Sequence, residues 1–378
     1  MKVLHGPVNV GNQPWVLSRY ERTLRVNSDL VINYNTWLGY AFDTCLSPLA
    51  KKRLRYVAHR LRFGLSAPFR YDVLHYYFGL SFLCWNDYGG RNKLWFADLK
   101  LAKRLGRKVF MTLQGCDARI SKLSADHNAV TACSLGHCEA APVCRSRLDA
   151  QRQYLIDNIL PLCDRVFVLN PELAHYVPGA VFMPYASVDV EAFAPAWPKT
   201  DGPAVIVHAP SDPSIKGSRY IIDAVERLKQ RFPIEFIQVK GIPHEEAMKI
   251  YRNADLVIDQ VLTGWYGGFA VEAMAMGKPV ACYLRREDFK FIPPQMVAEL
   301  PLLPIAPSTL ENDLAAILAQ RDRWPEWGRR SRNYVMRWHH PRRIARAMVD
   351  AYRHRESLFN LEISDAEPNS LPSTARSH

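Results

Sequence analysis

Two residues in the second half of the chain place charge where an apolar strand hands over to a helix. Glu272 is the only acid in GWYGGFAVEAMAMGKPV (residues 264–280), a segment otherwise built from small, apolar and glycine residues apart from Lys278. Lys216 stands in HAPSDPSIKGSRY, just before a glycine and a helical pattern. A carboxylate one turn inside a helix with no solvated face can accept two hydrogen bonds from neighbouring hydroxyls, as a ribose diol offers. The plainer alternative is that Glu272 complements the helix dipole, worth ~0.3–1 kcal/mol, which suits an exposed helix better than FAVEAMAMG. Gly267 and Gly268 open that helix, where bare backbone N–H groups and the dipole favour a phosphate. Lys216 is a natural counter-charge to a diphosphate, and the alternative is an ordinary solvent-facing loop lysine.

The elements that must position these residues alternate between strand and helix. AVIVHAP, IEFIQVKG, DLVIDQVL and PVACYL read as strands, separated by the helical patterns GSRYIIDAVERLKQRF, PHEEAMKIYRNA and the segment around Glu272. Ile221, Ile222, Val225 and Leu228 fall on one helical face, and Gly277 is placed to end the helix of Glu272. The first half repeats the style less regularly, with strands in KVLHGPV, SDLVINYN, YDVLHYY, KVFMTLQG and RVFVLN. Such alternation implies an α/β fold: two doubly wound, Rossmann-like domains facing across a cleft, with ligands at the carboxyl ends of the strands. The expected division is residues 1–195 and 200–330, joined by the proline-rich linker APAWPKTDGP, then a basic helical segment over 331–358 that packs back across the domains. Residues 359–378 read as a disordered tail.

At 378 residues the chain suits two domains, and 48% hydrophobic residues suffice for full cores. A net charge of +12 predicts an anionic partner: nucleic acid, a lipid surface or a phosphorylated small molecule. No recognition motif accompanies the charge, so nucleic acid is not expected. Eight cysteines do not make a disulfide scaffold, and MKVLHGPVNV lacks the apolar core of a signal peptide. With no apolar run long enough to span a bilayer, the expected location is cytoplasmic.

Two further segments carry chemistry of their own. CSLGHCEAAPVC brings Cys133, His137, Cys138 and Cys144 close in sequence, with Cys116 upstream. Tetrahedral zinc wants four such ligands, but no paired C-x-x-C is present, so a reduced loop is the expectation and structural zinc the alternative. KKRLRYVAHRLRFG (residues 51–64) puts Leu54, Val57, Ala58 and Leu61 on one stripe and basic residues elsewhere. That pattern suits peripheral attachment to an anionic inner membrane leaflet, or equally a solvated basic face packed on the protein.

Taken together, HAPSDPSIKG…AVERLK, YRNADLVIDQ, GWYGGFAVEAMAMGKPV and VFMPYASVDVEAFAP resemble the GT-B-fold nucleotide-sugar glycosyltransferases of the glycogen-synthase-like group. The similarity runs over most of the chain and is strongest from Val205 to Tyr283. It implies a retaining transfer from a UDP- or GDP-sugar to a glycan or lipid-linked acceptor, as in cell-surface polysaccharide or lipopolysaccharide synthesis. No cofactor and no metal ion are implied. Lys216 would contact the diphosphate, Glu272 the ribose, and Gly267 and Gly268 the donor sugar or phosphate. Gly11, in VNVGNQP, would approach the phosphate from the other domain, and Ile242 would border the base.

The chain departs from the family at several points. The first of two customary glutamates falls on Gly264, the arginine usual before the lysine is replaced around Ser211 and Asp212, and a customary histidine is Gln114. Of a common His-x-His pair, His75 remains and Tyr77 replaces the second, leaving His75 as the best candidate for a group near the reacting centre, with a structural role at the end of a buried strand as the commoner alternative. Two rival readings are a sugar-nucleotide epimerase of the same fold and a degenerate, nucleotide-binding scaffold subunit.

Overall fold

A computed structural model describes residues 1–47, 53–85 and 94–354. The expected tail over 359–378 and the start of the basic segment, residues 51–52, lie outside them.

Near-continuous apolar runs in the first half become strands buried on both faces, as parallel sheets require. β1 (Lys2–Gly6), β2 (Asn27–Ile32), β3 (Thr44–Cys45), β4 (Val73–Tyr77), β5 (Lys108–Leu113), β6 (Arg165–Val168) and β7 (Val181–Phe182) pair in parallel in the order β3-β2-β1-β4-β5-β6-β7. Val3 sits opposite Val73, and Leu74 opposite Val109. Helices α1 (Gln13–Thr23), α2 (Arg53–Arg70) and α3 (Ala97–Arg104) belong to this half.

The second sheet comprises β8 (Ala204–His208), β9 (Ile234–Gln238), β10 (Leu256–Ile258), β11 (Val280–Cys282) and β12 (Leu303–Pro304), parallel in the order β12-β11-β10-β8-β9. Its helices include α4 (Ser218–Leu228), α5 (His244–Asn253) and α6 (Gly268–Ala275). Ile221, Val225 and Leu228 of α4 are buried and Ile222 half-buried, so the apolar face is as its spacing predicts. In this sheet the strand order reverses between β8 and β10, which opens a crevice at their carboxyl ends. Lys216 follows β8 there, and Gly267 follows β10.

The basic C-terminal segment, expected as one helical region, divides at His339–Pro341 into α7 (Trp324–Trp338) and α8 (Pro341–Tyr352). Proline at the first position of α8 has no N–H to lose and cannot continue α7. α7 packs on α6 of the second half, and α8 on α1 of the first. No described helix is long and apolar enough to cross a membrane.

The expected apolar stripe of the 51–64 segment needs correcting. In α2 the line facing the protein passes through Arg60, Gly64 and Ala67, while Ala58 is exposed. Arg60 donates to the carbonyls of Phe82 and Cys84 and to the Tyr56 hydroxyl, with its guanidinium 4.8 Å from the Trp85 ring centroid. Those carbonyls need donors, and a planar guanidinium supplies several at once.

Candidate functional site

The crevice of the second sheet faces the first half across a cavity of about 490 Å³. Gly11, Lys216, Ile242, Gly267, Gly268 and Glu272 all line it. His75 does not.

Lys216 owes its place to local chain geometry. Asp212 caps a one-turn helix, Pro213–Lys216, by accepting from the Ser214 and Ile215 N–H groups. Gly217 then turns the chain into α4 with φ +75°, and a Cβ there would lie 2.5 Å from Val261 Cγ2. Both the backbone angle and the close approach demand glycine. Lys216 Nζ donates to Asp259 Oδ1 at 2.8 Å. The other oxygen of Asp259 accepts the Gly267 N–H at 2.7 Å, so one buried carboxylate ties the lysine to the start of α6.

Among the described residues, no backbone carbonyl accepts from the N–H groups of Gly268, Phe269 and Ala270. These are the free donors of a helix N-terminus, and only glycine precedes them on the cavity side. Ala270 through Ala275 are all buried, confirming that α6 has no solvated face. At its far end, Gly277 takes φ +78° while its N–H and that of Lys278 return to Met274 and Ala273 O, a Schellman stop.

Glu272 is 5% exposed and lies on the cavity wall. Its Oε1 accepts from His244 Nε2 at 2.6 Å. His244, at the start of α5, is itself a cavity residue, so the pair stands in the wall without sealing the site. Among the described residues Oε2 has no hydrogen-bond partner. Burial lowers the His244 pKa, but the Glu272 hydrogen bond and charge outweigh it and raise the pKa above its ordinary value.

From the first half, Gly11 enters with φ +61° and open space where a Cβ would stand. Gln114 faces the cavity, and its Nε2 donates to Val10 O at 3.4 Å. Arg119, also on this wall, pairs with Glu172 at 2.9 Å and keeps its guanidinium close to Cys116 Sγ, at 3.7 Å. Tyr185 lies between the two walls, near enough to both Arg119 and Asp259 to feel their charges.

His75 is corrected from a reacting-centre group to a core residue. It is 1% exposed within β4. Its Nδ1 meets Tyr352 Oη at 2.6 Å and its Nε2 meets Thr112 Oγ1 at 2.7 Å. Burial, with His5 nearby, holds its pKa well below the ordinary value, so the ring is neutral. Tyr77 is likewise buried, its hydroxyl 2.8 Å from His5 Nδ1. The glutamate that the resemblance would place at Gly264 has no room here: a Cβ on Gly264 (φ +75°) would lie 2.9 Å from Arg285 Cβ and Cζ.

The cysteine segment gathers no ligand set. Among the described residues, no group of three or more His, Cys, Asp or Glu side chains could hold a metal ion. His137 Nδ1 bonds the Thr131 carbonyl at 2.8 Å instead. The residues just before it brace the second half, since Ala132 N donates to Leu262 O at 3.0 Å and Arg285 Nη2 to Val130 O at 2.8 Å.

Among the site residues that escaped the sequence reading are Asp259, His244 and Trp37. Asp259 is an acid ending a buried strand, a signal present in DLVIDQ. His244 follows a proline at a helix start and carries no comparable signal. Trp37, on the cavity wall, sits in a loop that no motif marks.

Compared with known proteins, the sequence matches no family model and no curated protein. Solved structures are similar over nearly the whole chain. Sucrose-phosphate synthase from Thermosynechococcus elongatus is 16% identical with a TM-score of 0.58, covering 93% of this chain and 98% of that one. Anabaena HepE, solved in complex with UDP-glucose, is 12% identical with a TM-score of 0.55, covering 94% and 100%. With two parallel sheets meeting at a shared cavity and these structural neighbours, the chain has the GT-B fold.

Proposed function

We propose that the protein transfers a sugar from a UDP- or GDP-sugar to a glycan or glycolipid acceptor, with retention at the anomeric carbon. One observation carries the reading: Lys216, Gly267, Gly268 and Glu272 from the second half and Gly11 from the first line one cavity. The α6 N–H groups and the Lys216 ammonium stabilise the leaving diphosphate, whose charge grows as the glycosidic bond breaks. Glu272 keeps one oxygen for a ribose hydroxyl while His244 holds the other. HepE was solved with UDP-glucose, which supports a nucleotide-sugar ligand for this fold.

Cell-surface polysaccharide or lipopolysaccharide synthesis is the proposed setting. Peripheral membrane attachment belongs to the same proposal, through the outer face of α2, where Arg55, Arg62, Leu65 and Phe69 are exposed. Co-sedimentation with anionic vesicles tests it.

The donor assignment is tested by titrating UDP- and GDP-sugars and following slow release of nucleotide without acceptor. At least one sugar nucleotide should bind, and Glu272→Ala should weaken it by more than tenfold. An unchanged affinity removes the assignment. The second reading, a nucleotide-binding scaffold, draws on His75 lying in the core and on Arg285 filling the space beside Gly264. Binding with no hydrolysis and no transfer to any glycan extract would favour it.

A further inference from the structure

Trp37 is out of keeping with its surroundings. It is 59% exposed, yet it lines the cavity. Among the described residues its indole makes no hydrogen bond and no ring contact. A large apolar ring left open on a site wall is the informative kind of exposure.

The loop around it is held firmly on both sides. Gly39 N donates to Thr36 O at 3.1 Å, closing a turn with Trp37 inside it. Leu38 O accepts from His244 N at 3.4 Å, across the cleft. The Tyr40 ring meets the His244 ring edge-on at 5.0 Å, and Asn9 Nδ2 donates to Ala41 O at 2.9 Å. The first half thus sends a strap to the N-terminus of α5, and on that strap the Trp37 indole is left exposed.

Position along the cavity indicates what that face takes. Lys216 and the start of α6 mark the diphosphate end, and the Glu272–His244 pair marks the ribose. Leu38 O accepts from His244 N, so Trp37, the residue before it, reaches the cavity near the N-terminus of α5, whose preceding residues Gly241 and Ile242 line the same cavity. We propose that Trp37 is the stacking platform for the nucleobase of the donor, so that the nucleoside pocket is completed by the opposite half of the molecule. The proposal rests on the nucleotide-sugar reading. An indole offers a flat apolar face to any base, and such stacking contributes about 1–3 kcal/mol per base without reading base identity.

The test compares wild type, Trp37→Ala and Trp37→Phe by calorimetric titration with UDP and GDP, with thermal unfolding as a control. Because the ring is exposed, the unfolding midpoint should not move. Trp37→Ala should bind about tenfold more weakly, within the range expected of one stacked base. Trp37→Phe should recover most of the affinity, and nucleotide-induced quenching of indole emission should be smaller in it than in wild type. Wild-type affinity in Trp37→Ala overturns the proposal, as does a loss confined to turnover with acceptor, which would make the ring an acceptor platform. If wild type binds neither UDP nor GDP, the donor reading itself falls, and this inference with it.

Discussion

Lys216 and Asp259 form an ion pair at the reversal point of the second sheet, Nζ to Oδ1 at 2.8 Å, with the aspartate fully buried and the lysine 14% exposed. The same carboxylate accepts from Gly267 N, so it sets the direction of the ammonium and the entry of α6 together. Asp259→Ala should therefore do two things. It should destabilise the fold by ~3–5 kcal/mol, the usual consequence of leaving one member of a buried pair alone. It should also weaken UDP or GDP binding at least tenfold, measured on the fraction that remains folded. Full affinity in a folded variant would show that Lys216 needs no such anchor.

The His244–Glu272 bond predicts a pH signature. The folded-state pKa of His244 is raised, so its contribution is fully present below the unfolded value of about 6.5 and lost as pH rises through the folded value. The stability difference between wild type and His244→Ala should be largest on the acid side of 6.5 and shrink as pH rises. Chemical denaturation of both proteins across pH 5 to 9 measures it. A difference that grows with pH would contradict the pairing.

Three buried histidines predict the opposite slope. His75 is held well below its ordinary pKa, and His208 and His339 are lowered to about 4, in each case chiefly by burial. Depressed folded-state values mean that the unfolded chain binds more protons below about 6.5, so their contribution to stability falls as pH drops from there towards 4. His75→Ala should lower the unfolding midpoint while leaving nucleotide affinity of the folded protein unchanged. Loss of affinity without loss of stability would restore His75 to the site.

Gly264→Glu would install the acid that the sequence resemblance implies at this position, but the fold should reject it. The new Cβ meets Arg285, and φ +75° strains any L side chain by ~1–2 kcal/mol. Arg285 is held by Asp288 at 3.1 Å and by Val130 O at 2.8 Å, so it cannot swing clear without breaking both. The expected result is a lower unfolding midpoint with no gain in sugar-nucleotide turnover.

Much of the second half was legible because its signals are local. The alternation of AVIVH and IEFIQ with amphipathic helices predicts a parallel sheet, and Gly267–Gly268 before FAVEAMA predicts a phosphate-sized opening. The first half resisted at particular residues. Arg60 counted as a basic surface residue until the carbonyls of Phe82 and Cys84 were seen to need it. His75 matched a motif position, but a motif cannot tell a strand end that faces the cleft from one that faces α8 and Tyr352. Cys133, His137, Cys138 and Cys144 are close in sequence without a paired C-x-x-C, and among the described residues no group of three such side chains is gathered in space to hold a metal ion.

By itself, the sequence determined the α/β class, the strand-to-helix turns of the second sheet, and the burial of Glu272, because periodicity and glycine placement act over a few residues. Only the tertiary structure decided that Asp259 governs Lys216, that His244 reaches Glu272, and that Trp37 arrives from the opposite half. Those pairings join positions far apart in the chain, and no local preference encodes which distant side chain will fill a given space.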